Sequence, residues 1–493
     1  MSPVPPPPEP PDLDPVDWGG TRAQAHRMLD DILDYVQRVR ERPVWRPVPE
    51  EIRAALREPL PQDPADLAEV HEVFLRLVLP YAPGNVHPGF MGWVHGGGSV
   101  AGMLGEMLAA GLNANCGGRD HMPIEVERQI LRWLAPVFGM PEGAGGLFVT
   151  GSSMANFMAV LVARTGALGP EVRQRGLGSG PRLAAYASTA AHSCIRRAME
   201  MAGIGSDALR VLPVDRAGRM DLDALASAVA GDRRAGLRPF LVVGTAGTVD
   251  IGAIDPLEEL AAFAREQGLW FHVDGAYGAL GLFAPSLAPR LEGIRLADSI
   301  AMDFHKWGQV PYDAGYLLVR NGELQQRTFA SPAVYLRRES RGLAGGSPWP
   351  CDFGPDLSRG FRALKTWFML KTYGTRRLGA VIEHTCALAR HLRDRVALYP
   401  ELELMAPVDL NIVCFRLKGD DPDRLNRGAV ADLHESGLAA PSTTTLDGRV
   451  AIRAAIVNHR TRARDLDALV EAVLALGRKS PHFAEFKKPF YHW

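Results

Sequence analysis

Between about 145 and 320, short runs of branched and aromatic apolar residues alternate with amphipathic stretches. GLFVT, LAAYAS, LRVLPV, FLVVGTAG, LWFHVDG, SIAMDF and AGYLLVR each have the length and composition of a strand. Strands alternating with helical stretches predict βα units and a mostly parallel sheet covered on both faces, and ligands of such sheets lie at the carboxyl ends of the strands. Before this region the period is helical: RAQAHRMLDDILDYVQRVRER brings Ala23, Met28, Ile32, Tyr35 and Val36 near one face, and ADLAEVHEVFLRLVLP predicts a second helix that stops at Pro80. MPIEVERQILRWLAPVFG predicts a third, with Pro123 in its first turn and Val126, Ile130 and Leu134 at four-residue spacing. After it come a helix in RGFRALKTWFMLKTYG, another over Val381–Arg395, and then DLNIVCFRL, a helix near DRLNRGAVADLHESG, RVAIRAAIV and TRARDLDALVEAVLALG, which together predict a small α+β domain.

The expected fold class is therefore α/β, with a mostly parallel central sheet, an N-terminal helical layer and a small C-terminal α+β domain. The expected boundaries are a disordered proline-rich head at 1–16, a helical segment at 17–100, a large domain at 101–375 and the small domain at 376–493. Eight prolines in the first fifteen residues give the head its character. SRGLAGGSPWPCDFGPD, at 340–356, is too rich in Gly and Pro for regular structure and reads as a functional loop.

Composition narrows the partners. With 493 residues, 46% hydrophobic and 23% charged, the chain can bury several contiguous cores, and 55 basic against 56 acidic residues leave no surplus for nucleic acid. Five cysteines without a C-x-x-C pair give no zinc spacing and fit a reducing, cytoplasmic setting. No metal site is expected. No apolar run reaches the eighteen or more residues of a membrane span, so no membrane partner is expected.

Two chemistries compete for the polar residues. His95-Gly96-Gly97-Gly98 resembles an esterase oxyanion loop, and Gly151-Ser152-Ser153-Met154-Ala155 sits where a nucleophile elbow would, but Ala155 replaces the elbow's second glycine. A serine hydrolase is the remote alternative. The other chemistry uses more residues: the Gly-Ser-Ser helix start suits a phosphate, Asp274 at the end of a buried strand calls for a fixed cation, and Lys306 between His305 and Trp307 offers an amine to an aldehyde. Those three demands together describe pyridoxal 5'-phosphate.

At this point the sequence resembles the group II pyridoxal-phosphate-dependent decarboxylases, the family of aromatic-L-amino-acid, histidine and glutamate decarboxylases. The resemblance spans about 17–475 and rests on NVHPGFMGWVH, FVTGSSMANFMA, AHSCIRRA, GTAGTVDIGAIDPL, HVDGAYGA, DFHKW, VYLRR, RGFRALKTW and a terminal NHRT, in that order. It implies the fold type I transferase-like architecture, a carboxy-lyase acting on a small amino acid, and a homodimer with active sites at its interface. Residue by residue, Lys306 resembles the lysine that joins the cofactor's aldehyde, Asp274 the partner of the ring nitrogen and His192 the histidine stacked on the ring. Ser152, Ser153 and His305 match phosphate-binding positions, and Thr248 and Ala276 positions beside the ring. Asp303 stands where many members have Asn, which puts that phosphate contact in doubt, and Arg453 is a candidate for the substrate carboxylate. The region around Leu357–Gly360 matches the segment that closes over the partner subunit's phosphate.

For the substrate, the resemblance points to Phe90, Trp93 and His95, with His95, Asn113 and Asn115 making the pocket more polar than in the aromatic members. An aromatic L-amino acid is the expected substrate and an amine with carbon dioxide the expected products. One departure opens a second outcome. In the aromatic members a loop tyrosine returns a proton to the substrate; the matching GGSPWPCDFGP has none, and Trp349 and Pro350 stand closest. Related plant enzymes with a non-acid there release an aldehyde, ammonia and hydrogen peroxide, so aromatic aldehyde synthesis is the alternative. In the decarboxylase reading, His192 or a water supplies the proton.

Overall fold

A computed structural model describes residues 13–178, 180–331 and 339–479. Most of the proline-rich head and the VYLRR motif at 334–338 lie outside the described residues. The seven expected strands of the central region are all present: β2 (Gly145–Val149), β3 (Leu183–Ser188), β4 (Leu209–Leu212), β5 (Arg238–Thr245), β6 (Trp270–Asp274), β7 (Ser299–Asp303) and β8 (Gly315–Val319), preceded in the chain by a short β1 (Phe90–Met91). They form one sheet in the order β2-β8-β7-β6-β5-β3-β4. All pairs from β7 to β4 are parallel, and β8 runs antiparallel to both its neighbours. Leu241, Val242 and Val243 on β5 are all fully buried, as expected where helices cover both faces of a sheet.

A second sheet, in the order β1-β11-β12-β10-β9, is built from β9 (Leu402–Leu404), β10 (Ile412–Leu417), β11 (Ala440–Leu446) and β12 (Arg449–Ala455) with β1. β10 and β12 match the sequence reading, whereas β1, β9 and β11 were not anticipated. Two or three residues carry no periodicity, and β11, APSTTTL, has the proline and hydroxyls of a loop. β1 pairs in parallel with β11, Phe90 opposite Ala440, so the 85–95 segment belongs in space with the C-terminal sheet. The expected pair of helices after residue 360 is one long element, Ala363–Ala397, interrupted at Gly374, whose φ of +66° is open to glycine.

Helices Trp18–Gln37 and Leu67–Leu77 start at the side-chain caps Asp17 and Asp66. Their apolar stripes are only partly covered: Ile32, Tyr35 and Val36 are half-buried, while Ala23, Met28, Val70, Val73 and Phe74 are exposed. No described helix is long and apolar enough to cross a membrane. The five cysteines are free, and no group of metal-ligating side chains occurs among the described residues.

Candidate active site

The carboxyl ends of β5, β6 and β7 and the turn after β2 surround a cavity of about 360 Å³. Nine of the expected site residues line it: Trp93, His95, Ser152, Ser153, His192, Asp274, Ala276, His305 and Lys306. Phe90 lines an adjoining cavity instead. Thr248 is not among the residues lining this cavity. Its hydroxyl accepts the Ala253 N–H at 2.9 Å inside the turn after β5, and Thr245 and Val249, on either side in sequence, line the cavity.

Asp303, the last residue of β7, is 1% exposed. Its Oδ1 accepts the Ser152 N–H at 2.6 Å, its Oδ2 accepts the Ser152 hydroxyl at 2.7 Å, and the Lys306 Nζ lies 2.8 Å from Oδ2. Burial alone would raise its carboxyl, but Lys306, His305 and the Ser152 hydroxyl hold it below the usual carboxylate value. Burial likewise works against the Lys306 ammonium, yet Asp303 keeps it above the ordinary lysine value. His305 Nδ1 accepts the Ala314 N–H at 3.0 Å, and burial lowers the ring to about 4, so at neutral pH the proton sits on Nε2, 3.6 Å from Asp303.

Asp274, the last residue of β6, is 3% exposed and has no ion-pair partner within contact among the described residues. It accepts the Ala276 N–H at 3.1 Å and faces the Cys194 thiol at 3.9 Å. Burial raises its carboxyl above the usual value, against the opposing pull of Lys306. A buried polar chain stands behind it. The Trp270 indole donates to the Ser299 hydroxyl at 2.8 Å, Ser299 lies 2.9 Å from His272 Nδ1, and His272 Nε2 lies 2.7 Å from the Asn156 Oδ1. Asn156 then donates to the Cys194 sulfur at 3.1 Å. Because the Asn156 Oδ1 can only accept, His272 Nε2 carries the ring proton, and with the Asn156 amide donating to the sulfur the thiol proton is left to face Asp274. Burial lowers His272 to about 4 and raises Cys194 to about 12, so both links stay neutral near pH 7.

The remaining walls come from distant parts of the chain. Exposed His192 lines the cavity and also accepts the Cys194 N–H at 3.2 Å, so helix capping and site position coexist. The glycines after His95 serve backbone approach: Gly96 donates to the His305 carbonyl at 3.1 Å, and a Cβ there would collide with the Lys306 carbonyl. Trp93 is more than half exposed with φ +50°, a conformation rare for a bulky residue. Arg453 does not line the cavity; its guanidinium donates to the carbonyls of Val249, Asp250 and Trp93, tying two cavity walls together. Asn113 is a left-handed helix cap, and Asn115 accepts the N–H groups of Gly117 and Arg359. Ser152 gives its proton to Asp303, and neither it nor Ser153, which holds the elbow's nucleophile position, bonds to an imidazole among the described residues, which leaves the hydrolase without its base.

Tyr312 is a site residue the sequence reading did not select. It lines the cavity, and its ring lies 4.3 Å from His305 and edge-on to His95 at 5.8 Å. Burial raises its phenol above the usual value, so it stays protonated at neutral pH.

These residues fit pyridoxal phosphate. Asp274 is a buried carboxylate without a contacting cation, suited to a protonated ring nitrogen. The Thr245 hydroxyl is buried without a partner among the described residues on a residue that lines the same cavity. The start of helix Ser152–Leu168, with two serines and His305 Nε2–H, suits a phosphate, and Lys306 offers the amine.

Comparison with known proteins agrees. The pyridoxal-dependent decarboxylase conserved domain matches residues 49–418. The aromatic-L-amino-acid decarboxylase of Bacillus atrophaeus is 30% identical over 472 residues, covering 93% of this chain and 95% of that protein. The phenylacetaldehyde synthase of Arabidopsis thaliana is 31% identical over 459 residues, covering 90% and 93%. The crystal structure of Oryza sativa TDC with PLP and tryptamine superposes with a TM-score of 0.86 at 26% identity, covering 94% of this chain and 99% of that one. With the matched domain spanning most of the chain and the strand ends carrying its cofactor chemistry, this protein belongs to the pyridoxal-dependent decarboxylase family.

Proposed function

We propose that this enzyme decarboxylates an aromatic L-amino acid to its amine and carbon dioxide. The observation that carries the substrate class is a second cavity, of about 460 Å³, beside the first. Trp45, Phe90, Trp93, His95 and Tyr312 line it, and the last three are shared with the Lys306 cavity. Phe90 and Trp93 both stack on His95, with centroids 5.6 and 5.9 Å away, so the chamber offers ring faces to a planar side chain. Burial lowers His95 below the usual histidine value, which keeps this wall neutral and disfavours a charged substrate side chain.

Bound pyridoxal phosphate supplies the electron sink for loss of the carboxylate. Asp274 holds the proton on the ring nitrogen, and Cys194, Asn156 and His272 hold Asp274. Lys306 would provide the amine that holds the cofactor's aldehyde in the cavity. His192 and Tyr312 are among the proton-bearing side chains of the wall, and His192 is an exposed one. A second copy of the chain completes the assembly in this reading: Met107, Leu108 and Leu112 on helix Val100–Leu112, and Val70, Val73 and Phe74 on Leu67–Leu77, are exposed apolar residues suited to it. Five free thiols fit a reducing, cytoplasmic setting.

A second reading, aldehyde synthesis, is favoured by one observation. Residues 339–356 contain no tyrosine, and Trp349, near the expected position, is 1% exposed, with its indole donating to the Gly345 carbonyl. The reaction would consume one oxygen and one water per amino acid and release aldehyde, carbon dioxide, ammonia and hydrogen peroxide. L-tyrosine, L-tryptophan, L-phenylalanine and L-glutamate are supplied to the holoenzyme while oxygen uptake and products are followed. Amine from an aromatic substrate with no oxygen consumed is expected. Aldehyde with equimolar peroxide would replace the proposal by the second reading, and turnover of glutamate alone would overturn the aromatic assignment.

A further inference from the structure

We infer that Asp303 is a built-in competitor for the cofactor's phosphate, so that this enzyme holds pyridoxal phosphate less tightly than its donor set would allow. The inference concerns cofactor retention and does not rest on the substrate class. Three donors of the cradle converge on this one carboxylate: the Ser152 N–H at 2.6 Å, the Ser152 hydroxyl at 2.7 Å and the Lys306 ammonium at 2.8 Å, with His305 Nε2 at 3.6 Å. Ser152 is the first residue of its helix, where free N–H groups and the helix dipole favour an anion, and Asp303 is already an anion there.

A phosphate and this carboxylate cannot both use the same N–H and hydroxyl protons, and two anions at one site repel. Asp303 has no solvent to retreat to, since it ends a fully buried strand segment at 1% exposure. Its other compensation is Lys306, whose amine must lose its proton to bond the cofactor's aldehyde. Held by the cofactor's aldehyde, Lys306 would no longer be the free ammonium that now contacts Asp303, and the phosphate would bring a second anion beside that carboxylate. Replacing Asp303 by Asn keeps the shape and an oxygen for the Ser152 N–H but removes the charge.

The test compares pyridoxamine 5'-phosphate with pyridoxamine, neither of which has an aldehyde for Lys306, on full-length protein stripped of cofactor. The dissociation constant of pyridoxamine divided by that of pyridoxamine 5'-phosphate reports the phosphate's contribution alone. In Asp303→Asn this ratio is expected to rise at least tenfold over the parent protein, through tighter binding of the phosphorylated compound. Asp303→Ser provides the same reading if the Asn variant does not fold. A ratio that is unchanged or smaller in the folded variant would overturn the inference, because it would show that the phosphate does not contend with Asp303.

Discussion

Asp274 and Asp303 end neighbouring, parallel strands of one sheet, both are essentially excluded from water, and burial acts on both in the same direction. Their charges are nevertheless stabilised in opposite senses. Asp303 is surrounded by Ser152, Lys306 and His305 and sits below the usual carboxylate value, whereas Asp274 has one backbone N–H, a distant thiol and, among the described residues, no contacting cation, and sits above it. Depth alone thus says little about a buried carboxylate; the donors within reach decide whether it is satisfied by the protein or awaits a ligand. Asp274 is of the second kind, and that is what suits it to a cationic ring nitrogen.

The largest effect expected from this difference is on turnover. Asp274→Asn removes the charge that holds the ring proton, and kcat is expected to fall by about 10²–10³-fold, the scale of losing one preorganised electrostatic partner in an active site. Steady-state assays at saturating cofactor measure it. A loss under threefold would mean that the two carboxylates do not differ in the way proposed.

Stability of the cofactor-stripped protein gives the next largest effect, with opposite signs at the two sites. Asp303→Asn breaks a buried, hydrogen-bonded charge pair and is expected to cost about 3 kcal/mol at pH 7. Asp274→Asn removes a poorly compensated charge and is expected to gain on the order of 1 kcal/mol. The pH dependences also oppose each other. The depressed Asp303 contributes stability above the ordinary aspartate value, which is lost as pH falls through its lower folded value. The raised Asp274 costs stability as pH rises from the ordinary value through its higher folded one. Denaturant unfolding of both variants across pH, within the range where the parent protein stays folded, tests the pair; equal effects at both sites would remove the distinction.

The smallest effect concerns the chamber wall. Trp93→Ala is expected to raise KM for an aromatic substrate roughly tenfold, about 1.4 kcal/mol, with a smaller change in kcat. An unchanged KM would place the substrate ring elsewhere.

The central strands were legible because a sheet buried on both faces writes itself as apolar runs, and Asp274 and Lys306 because they follow such runs directly. The convergence on Asp303 was not legible in the same way. Lys306 is three residues on, but Ser152 is 151 residues away and meets Asp303 only because the sheet order brings β2, β8 and β7 together. Thr248 follows from motif position alone, and the tight turn in which its hydroxyl accepts the Ala253 N–H, with Val249 and Thr245 lining the cavity, is a tertiary fact. Tyr312 lies in VPYD, a stretch with neither periodicity nor a motif, so nothing local marked it. Trp93 was selected, but its left-handed backbone and the Arg453 that grips its carbonyl from 360 residues away are tertiary facts.

The account rests on Lys306 being the residue that joins the cofactor between these two carboxylates, and one measurement addresses it directly. The yellow holoenzyme is reduced with borohydride, digested, and its peptides are mapped by mass. The account predicts a phosphopyridoxyl group on Lys306 alone, and its absence together with the yellow colour in Lys306→Ala. A modified lysine elsewhere, or a Lys306→Ala protein that keeps both colour and activity, would contradict it.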